Sequence, residues 1–336
     1  MIRKGALIAI VVVLSILVLA TPSEAHSPLF PVENHTIDTA MPIAEPERSF
    51  AVYHDLEPEE ASYYEFYMGE GDRILMQVFI PYSPESGFVP SFALLIPGDG
   101  PGDDLPDYVE VPEGYRALVL PGDDGAEGEL EPFTPGPIFL MAEIDVDAPV
   151  DGDYYAVVYS SDEGGAYTFV IGYLEGFTAE EILSLPINLL DIYQWEGQGL
   201  WQALAPYLLM FVVGLALAIY GYTIMGKPES WVKWLALISS LAFLGSSASV
   251  VAQLAFSFTR VPLSMSAFLS LGFALVYLIL ALVMARFAYK RKPLGTGNRA
   301  VFIFVGIVGL GLWGGFYIGP ILALIVAFAP PYRSTK

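Results

Sequence analysis

The sequence predicts an all-β sandwich domain outside the cytoplasm, followed by a four-helix transmembrane α-bundle. The first indication is composition: 15% of the 336 residues are charged and 54% are hydrophobic, whereas an ordinary soluble domain carries about 25% charged residues. The second is the distribution of charge. Residues 26–200 contain 35 acidic and three basic side chains, but residues 201–336 contain one acidic and ten basic side chains. Two parts that face different solvents explain this division.

The same counts argue against several classes of protein. The chain offers no net positive field to recruit phosphate groups, so nucleic acid is not an expected partner. It contains no cysteine, which excludes a disulfide framework, a thiolate metal site and a cysteine nucleophile. No Gly-x-Ser-x-Gly elbow, His-Glu-x-x-His pattern or Walker loop occurs in it. A binding protein is therefore expected rather than an enzyme.

The amino terminus has the pattern of a secretory signal peptide. Arg3 and Lys4 precede a 15-residue apolar run, and small residues follow it. This pattern predicts residues 1–25 as a signal peptide that is cleaved after Ala25. Cleavage after Ala20 and retention as an uncleaved anchor are the alternatives. All three place the following segment outside the cytoplasm.

The segment 26–175 is predicted to form an acidic β-sandwich. Apolar residues at every second position of 74–80 have the period of a half-buried strand. Clusters of Gly, Pro and Asp, such as residues 97–102 and 121–125, separate it from similar short runs. Many short strands with turn residues between them indicate an antiparallel sandwich. The other predicted strands are 49–53, 63–67, 91–96, 115–120, 138–144, 154–160 and 167–173.

Two pairs of segments in this domain resemble a known family. Residues 63–66 (YYEF) and 69–74 (GEGDRI) are similar to the "YY-x-F … G-D-x-I" strand pair of pre-peptidase C-terminal-like sandwiches. Residues 152–158 (GDYYAVV) and 164–170 (GGAYTFV) resemble the closing hairpin of that family. The likeness covers about residues 49–173, with a long insertion between the halves. It implies a sandwich that serves as an accessory module of an extracytoplasmic protein, and it transfers no catalytic residue.

Residues 176–203 are predicted to connect the sandwich to the membrane. Thr178 and Glu181 have the spacing of a capping box, which predicts that a short helix begins here and runs over residues 179–193. The apolar residues that follow the box favour a segment that lies on the membrane surface.

Four long apolar segments predict transmembrane helices within residues 204–329. Each exceeds the roughly 20 residues that cross a hydrocarbon core, and the last is long enough to tilt or to break near Gly319 and Pro320. Gly311, Gly315 and Gly319 recur at a four-residue spacing that favours close helix packing, and a permeation path or a partner-binding face is the alternative. The predicted segments are 204–225, 232–258, 265–285 and 300–329.

Basic residues predict the orientation of these helices. With the sandwich outside, the first and third loops hold seven basic residues and face the cytoplasm. The outer loop and a short outer tail, residues 330–336, hold three. This asymmetry obeys the positive-inside rule. Trp195, Trp201 and Tyr207 are predicted to form an aromatic belt where the first helix enters the bilayer.

Three histidines, His26, His35 and His54, lie within 29 residues of one another. Cleavage after Ala25 would give His26 a free α-amine beside its imidazole. These two nitrogens and a second imidazole make a good ligand set for Cu(II). The sequence therefore predicts a candidate copper site, and ordinary solvated or packed histidines are the alternative.

Other candidate sites carry less information in so acidic a domain. The acidic residues 145–153 could offer oxygen ligands to calcium, but they lack the EF-hand spacing, and a solvated acidic surface is the alternative. Tyr53, Tyr82, Tyr108 and Tyr193 could stack on sugars, although aromatic residues at such spacings more often fill a core.

The expected function is that of a membrane-anchored extracytoplasmic binding or interaction protein of unknown ligand. Its expected partners are the lipid bilayer and other membrane or cell-surface proteins. One alternative is a copper-binding protein that uses an N-terminal histidine brace. Another is a ligand-capturing component of membrane transport.

Overall fold

The computed structural model describes residues 26–31, 33–82, 87–226, 228, 230–289 and 294–330. The predicted signal peptide, residues 1–25, lies outside the described residues, as do residues 331–336 of the predicted tail. An N-terminal two-sheet β domain is followed by helices.

Eleven strands in the described chain form the β domain. One sheet has the order β1-β3-β11-β5-β9-β8 and the other has the order β2-β4-β10-β6-β7. The sequence predicted all of them except β1, β2 and β8. The strands are β1 Ser27–Leu29, β2 Met41–Pro42, β3 Phe50–Leu56, β4 Glu60–Met68, β5 Arg73–Ile80, β6 Ser91–Pro97, β7 Tyr115–Leu120, β8 Gly128–Glu131, β9 Gly136–Asp147, β10 Gly152–Ser160 and β11 Gly165–Ile171.

The two sheets enclose a core rich in aromatic side chains. On β5, every second side chain from Ile74 to Ile80 is at most 2% exposed, as the period of two requires. Across the core, the ring of Tyr64 on β4 stacks on Phe169 of β11 with 4.4 Å between centroids. The buried hydroxyls of Tyr64 and Tyr167 share a hydrogen bond of 2.6 Å. Both polar groups are thereby satisfied inside the core.

The strands that carry the family resemblance connect the two sheets. β4 pairs with β10 in one sheet, and β5 pairs with β11 in the other. β10 and β11 therefore do not form the expected closing hairpin. The chain instead crosses from one sheet to the other between β10 and β11, as it does between β4 and β5.

Helix α1 (Ala179–Trp195) follows the sandwich and begins at the predicted capping box. Oγ1 of Thr178 accepts the Glu181 N–H at 3.2 Å, and the Glu181 carboxylate accepts the Thr178 N–H at 2.7 Å. Pro186 lies within the helix without ending it. Glu181 also forms an ion pair with Arg48 of the sandwich, which fixes the start of the helix against the β domain.

Three further helices are long and apolar enough to cross a membrane: α2 (Leu200–Met225), α3 (Trp231–Ser257) and α4 (Ala267–Tyr289). α3 packs against both α2 and α4. In α3, 56% of the most apolar stretch is buried inside the protein, against 17% in α2. α3 is therefore the centre of the bundle, and most of α2 is left for contact with lipid.

The predicted fourth span is not confirmed, because its sequence forms two shorter helices, α5 (Thr296–Gly311) and α6 (Ile318–Phe328). The guanidinium of Arg299, at the start of α5, donates hydrogen bonds of 2.6 Å to the carbonyls of Ala327 and Ala329, at the end of α6. The two helices thus run antiparallel as a hairpin. Residue 330, the last described residue, lies at the end of the bundle where α5 begins. The sequence predicted this residue at the opposite end, after a fourth span.

The hairpin turns at residues 312–317, a few residues before the predicted break. Trp313, Phe316 and Tyr317 have positive φ values of 43°, 53° and 64°, and Gly315 has 57°. Such conformations are costly for residues with a side chain. The Gly315 N–H donates to the Ser246 hydroxyl at 2.6 Å, so contacts with α3 hold the turn in this conformation.

The turn between β8 and β9 sits on the sandwich-side ends of α3 and α4. Its carbonyls accept hydrogen bonds from three serine hydroxyls of the helical part: Ser257 to Pro135 at 2.8 Å, Ser266 to Leu130 at 3.1 Å and Ser270 to Pro132 at 2.6 Å. The ring of Phe133 lies 5.9 Å from that of Phe273 on α4, between centroids. The sandwich and the bundle are therefore joined by specific contacts as well as by the chain.

Replacing Ser270 by alanine is expected to destabilise the protein by about 1–3 kcal/mol. Ser270 is fully buried, so the Pro132 carbonyl would lose its hydrogen bond without gaining water. The measurement is unfolding in detergent by heat or denaturant. Thr259→Ala is the control, because the Thr259 hydroxyl is exposed and bonds within its own turn, to Phe256. An equal loss of stability in both variants would contradict a role for the junction.

Candidate functional site

A cleft of about 650 Å³ opens where the edge of the sandwich meets the end of α1. Its walls come from the chain after β1, from β3, from the chain after β5 and from the last turn of α1. This volume lies in the range of pockets that hold small ligands. Its aromatic lining residues are Phe30, Tyr53, Tyr82 and Trp195, and its polar lining residues are His54, Asp55, Asp191 and Gln194.

Strand pairing brings two of the aromatic rings together. β1 runs parallel to β3 with Leu29 opposite Val52, so the next residues along the two strands, Phe30 and Tyr53, are neighbours. Their rings stack with 5.6 Å between centroids and 23° between planes. The first wall of the cleft is thus set by the register of a short strand.

Trp195 supplies the second wall. Its ring centroid lies 5.1 Å from that of Tyr53, and the two planes meet at 80°. The indole N–H donates to the Tyr167 carbonyl on β11 at 3.0 Å. This bond fixes the orientation of the indole, so Tyr53 and Trp195 form a rigid aromatic corner.

Two carboxyl groups, those of the buried Glu196 and the half-buried Glu131, lie near this corner. Burial raises the pKa of the Tyr53 phenol, and the neighbouring Glu131 and Glu196 raise it further. The Tyr53 hydroxyl therefore keeps its proton at neutral pH.

Glu131 is held by the turn that follows it. Its carboxylate accepts hydrogen bonds from the Phe133 N–H at 2.9 Å and from the Thr134 N–H and hydroxyl at 2.5 and 2.6 Å. Burial nevertheless raises the pKa of Glu131, because desolvation outweighs these three donors. The Glu131 carboxyl group thus holds the β8–β9 turn in its conformation. It is also an ionisable group at the junction between the sandwich and the helices.

Glu196 is the more deeply buried of the two, at 2% exposure. Its carboxylate accepts a hydrogen bond from Gln198 at 2.9 Å, and Gln198 in turn exchanges hydrogen bonds with Gln253 on α3. Arg260 donates to the Glu196 carbonyl at 2.8 Å. Burial raises the pKa of Glu196 well above its ordinary value, against the opposing effects of Gln198 and Arg260. A polar chain thus runs from the back of the cleft into the helical bundle.

Two of the three histidines meet beside the cleft. The rings of His35 and His54 are 5.5 Å apart between centroids, and Nδ1 of His35 lies 3.2 Å from the Glu60 carboxylate. Burial lowers the pKa of His54, and the neighbouring His35 lowers it further. His54 is therefore neutral at pH 7.

His26 lies elsewhere on the sandwich. Its Nδ1 is 2.5 Å from the Ser49 hydroxyl, and burial lowers its pKa to about 4. Ser49 and His54 are five residues apart on nearly extended chain, which corresponds to about 16 Å. Of the three predicted copper ligands, the structure thus brings His35 and His54 together and places His26 beside Ser49, through the β1–β3 register. Within the described residues, no group of three His, Asp or Glu side chains is placed to hold a metal ion.

The acidic cluster considered for calcium is occupied by protein groups. Both carboxylate oxygens of Asp145 accept hydrogen bonds of 2.8 Å from Arg73, and this contact lowers the pKa of Asp145. Asp151 accepts the Glu70 N–H at 2.5 Å. These carboxylates stabilise turns and strand ends.

Sequence reasoning found only part of the cleft. Tyr53 and Tyr82 were among the tyrosines considered for ligand stacking, whereas Trp195 was assigned to the membrane belt, and Phe30 and Asp191 were not considered. The sequence carries no local signal for these residues, because distant segments bring them together.

Comparison of the chain with protein-family models finds no match, and comparison with the curated proteins finds none. The candidate site therefore rests on its geometry: a rigid aromatic corner, two carboxylates on the wall and two carboxyl groups near it.

Proposed function

We propose that this protein is a membrane-anchored binding protein that displays the acidic sandwich outside the cytoplasm and takes up a small ligand in the aromatic cleft. The observation that carries the proposal is the cleft itself. Its size suits a small molecule, and strand register and the Trp195 hydrogen bond fix its aromatic walls. Walls that the protein itself holds in place lower the ordering cost of binding.

The distribution of basic residues supports the external placement of the sandwich. Among the described residues of 201–330, the basic residues Lys233, Arg286 and Arg299 lie at the bundle end away from the sandwich, and Arg260 lies at the sandwich end. This asymmetry agrees with the positive-inside rule if the sandwich is outside.

The resemblance to pre-peptidase C-terminal-like domains is part of the proposal. Its motifs fall on β4, β5, β10 and β11. β4 pairs with β10 in one sheet, and β5 pairs with β11 in the other. Membership of that family would make the sandwich an accessory module, a role that agrees with binding better than with catalysis.

Trp195→Ala is expected to weaken ligand binding about thirtyfold, because loss of a central aromatic contact costs about 2 kcal/mol. The measurement is a screen of small organic molecules for thermal stabilisation of the full chain in nanodiscs, followed by titration of each hit. Trp201→Ala is the matched control, since Trp201 is 75% exposed at the start of α2. If every hit binds Trp195→Ala and Trp201→Ala with the same affinity as the wild type, the ligand binds outside the cleft and the proposal is overturned.

A further inference from the structure

We infer that the ligand of the cleft is an organic cation, carrying an amine or a quaternary ammonium group. The inference rests on the proposed function and goes further by naming the chemical class. Three features support it: the charge of the cleft wall, its aromatic rings and the acidic character of the whole sandwich.

The described residues that line the cleft include two carboxylates and neither arginine nor lysine. Asp55 and Asp191 both line the cleft and are exposed. The guanidinium of Arg260 lies near this wall, 4.8 Å from the Tyr82 ring centroid, but it donates to the Glu196 carbonyl and is not among the lining groups. An anionic ligand would meet two carboxylates there without a basic partner, whereas a cation would meet two opposite charges.

The aromatic corner is suited to a cation. The faces of Trp and Tyr rings attract positive charge through their quadrupoles, and cages of such rings recognise ammonium groups. Tyr53 and Trp195 meet almost at a right angle. A compact ammonium group would bind against a ring face, because the ring edges carry positive potential. The indole N–H donates to the Tyr167 carbonyl, which fixes the orientation of the Trp195 ring.

The surroundings of the cleft act in the same direction. At long range, residues 26–200 carry 35 acidic and three basic side chains, which raises the local concentration of cations and speeds their association. A neutral sugar could use the aromatic rings but would gain nothing from this field.

Matched pairs of ligands test the inference on the full chain in nanodiscs. The cations are choline, phenethylamine and putrescine, and their neutral counterparts are 3,3-dimethylbutan-1-ol, 2-phenylethanol and 1,4-butanediol. At least one cation is expected to bind at least tenfold more tightly than its counterpart. Asp191→Asn and Asp55→Asn are each expected to weaken binding of that cation severalfold. Asp99→Asn, an exposed change in the loop after β6 of the other sheet, is expected to leave the affinity unchanged.

The outcomes separate this inference from the proposed function. If the neutral members bind as well as the cations and lose affinity in Trp195→Ala, the cleft is a binding site but not for cations, and only the inference fails. If no cation binds better than its counterpart and Trp195→Ala changes nothing, both fail. Cation binding that is insensitive to Asp55→Asn and Asp191→Asn also overturns the inference.

Discussion

A cysteine placed at Pro330 is expected to be labelled from the same side of the membrane as a cysteine placed at Gly297, and from the side opposite to a cysteine at Glu70. The Arg299 guanidinium holds the start of α5 against the carbonyls that end α6. An α5 of 16 residues is about 24 Å long and α6 is shorter, and each is shorter than the roughly 20 residues of a span. The two helices therefore enter and leave the bundle at one end.

The chain suits this test because it contains no native cysteine. With an impermeant maleimide on intact cells, Glu70→Cys reacts directly, while Gly297→Cys and Pro330→Cys react only after permeabilisation. A Cβ at residue 297 meets no atom within 4 Å, so the Gly297→Cys substitution does not disturb packing. Labelling of Pro330→Cys from outside would restore the four-span arrangement and reject the hairpin.

Glu196→Gln is expected to stabilise the protein, and its advantage over the wild type is expected to grow as the pH rises. Burial raises the pKa of Glu196 in the folded state, whereas an unfolded glutamate titrates near 4.3. Below that value both states hold the proton, and no penalty exists. As the pH rises towards the folded pKa, the unfolded chain releases a proton that the folded chain keeps, so wild-type stability falls.

The measurement is the melting temperature of both proteins in the same detergent from pH 5 to pH 8. The difference between the two melting temperatures reports on Glu196, because the other titratable groups, such as His26 and Glu131, are present in both proteins. We expect a difference of several degrees at the upper end. Glu129→Gln, at an exposed position on β8, is the control and should run parallel to the wild type. A difference that is constant with pH would mean that Glu196 is ionised throughout and stabilised by Arg260.

The Glu196 cluster and the hairpin turn are both bonded to helix α3. Glu196 lies between the cleft, through Tyr53, and the bundle, through Gln198 and Gln253. α3, which carries Gln253, also holds the hairpin turn through Ser246. The Glu196 cluster thus has contacts on both sides of the junction.

The elements predicted from the sequence are those with a periodic or a continuously apolar sequence. β5 alternates between buried and more exposed side chains because one face packs in the core, and α2 to α4 are apolar over more than 20 residues, the length that crosses a membrane. β1, β2 and β8 have four residues or fewer, too few for a period to appear. β1 and β2 form through pairing with β3 and β4, which are distant in the chain, and β8 forms through a hairpin with β9.

The sequence alone determined the division of this protein into an acidic β domain and an apolar helical part, since composition and periodicity respond directly to the surrounding solvent. Only the tertiary structure decided which histidines meet, that the last apolar segment folds back on itself, and that Phe30, Tyr53 and Trp195 enclose a cleft. The physical reason is that these features depend on strand register and on contacts between segments far apart in the chain. Such contacts leave no repeating pattern in any one segment.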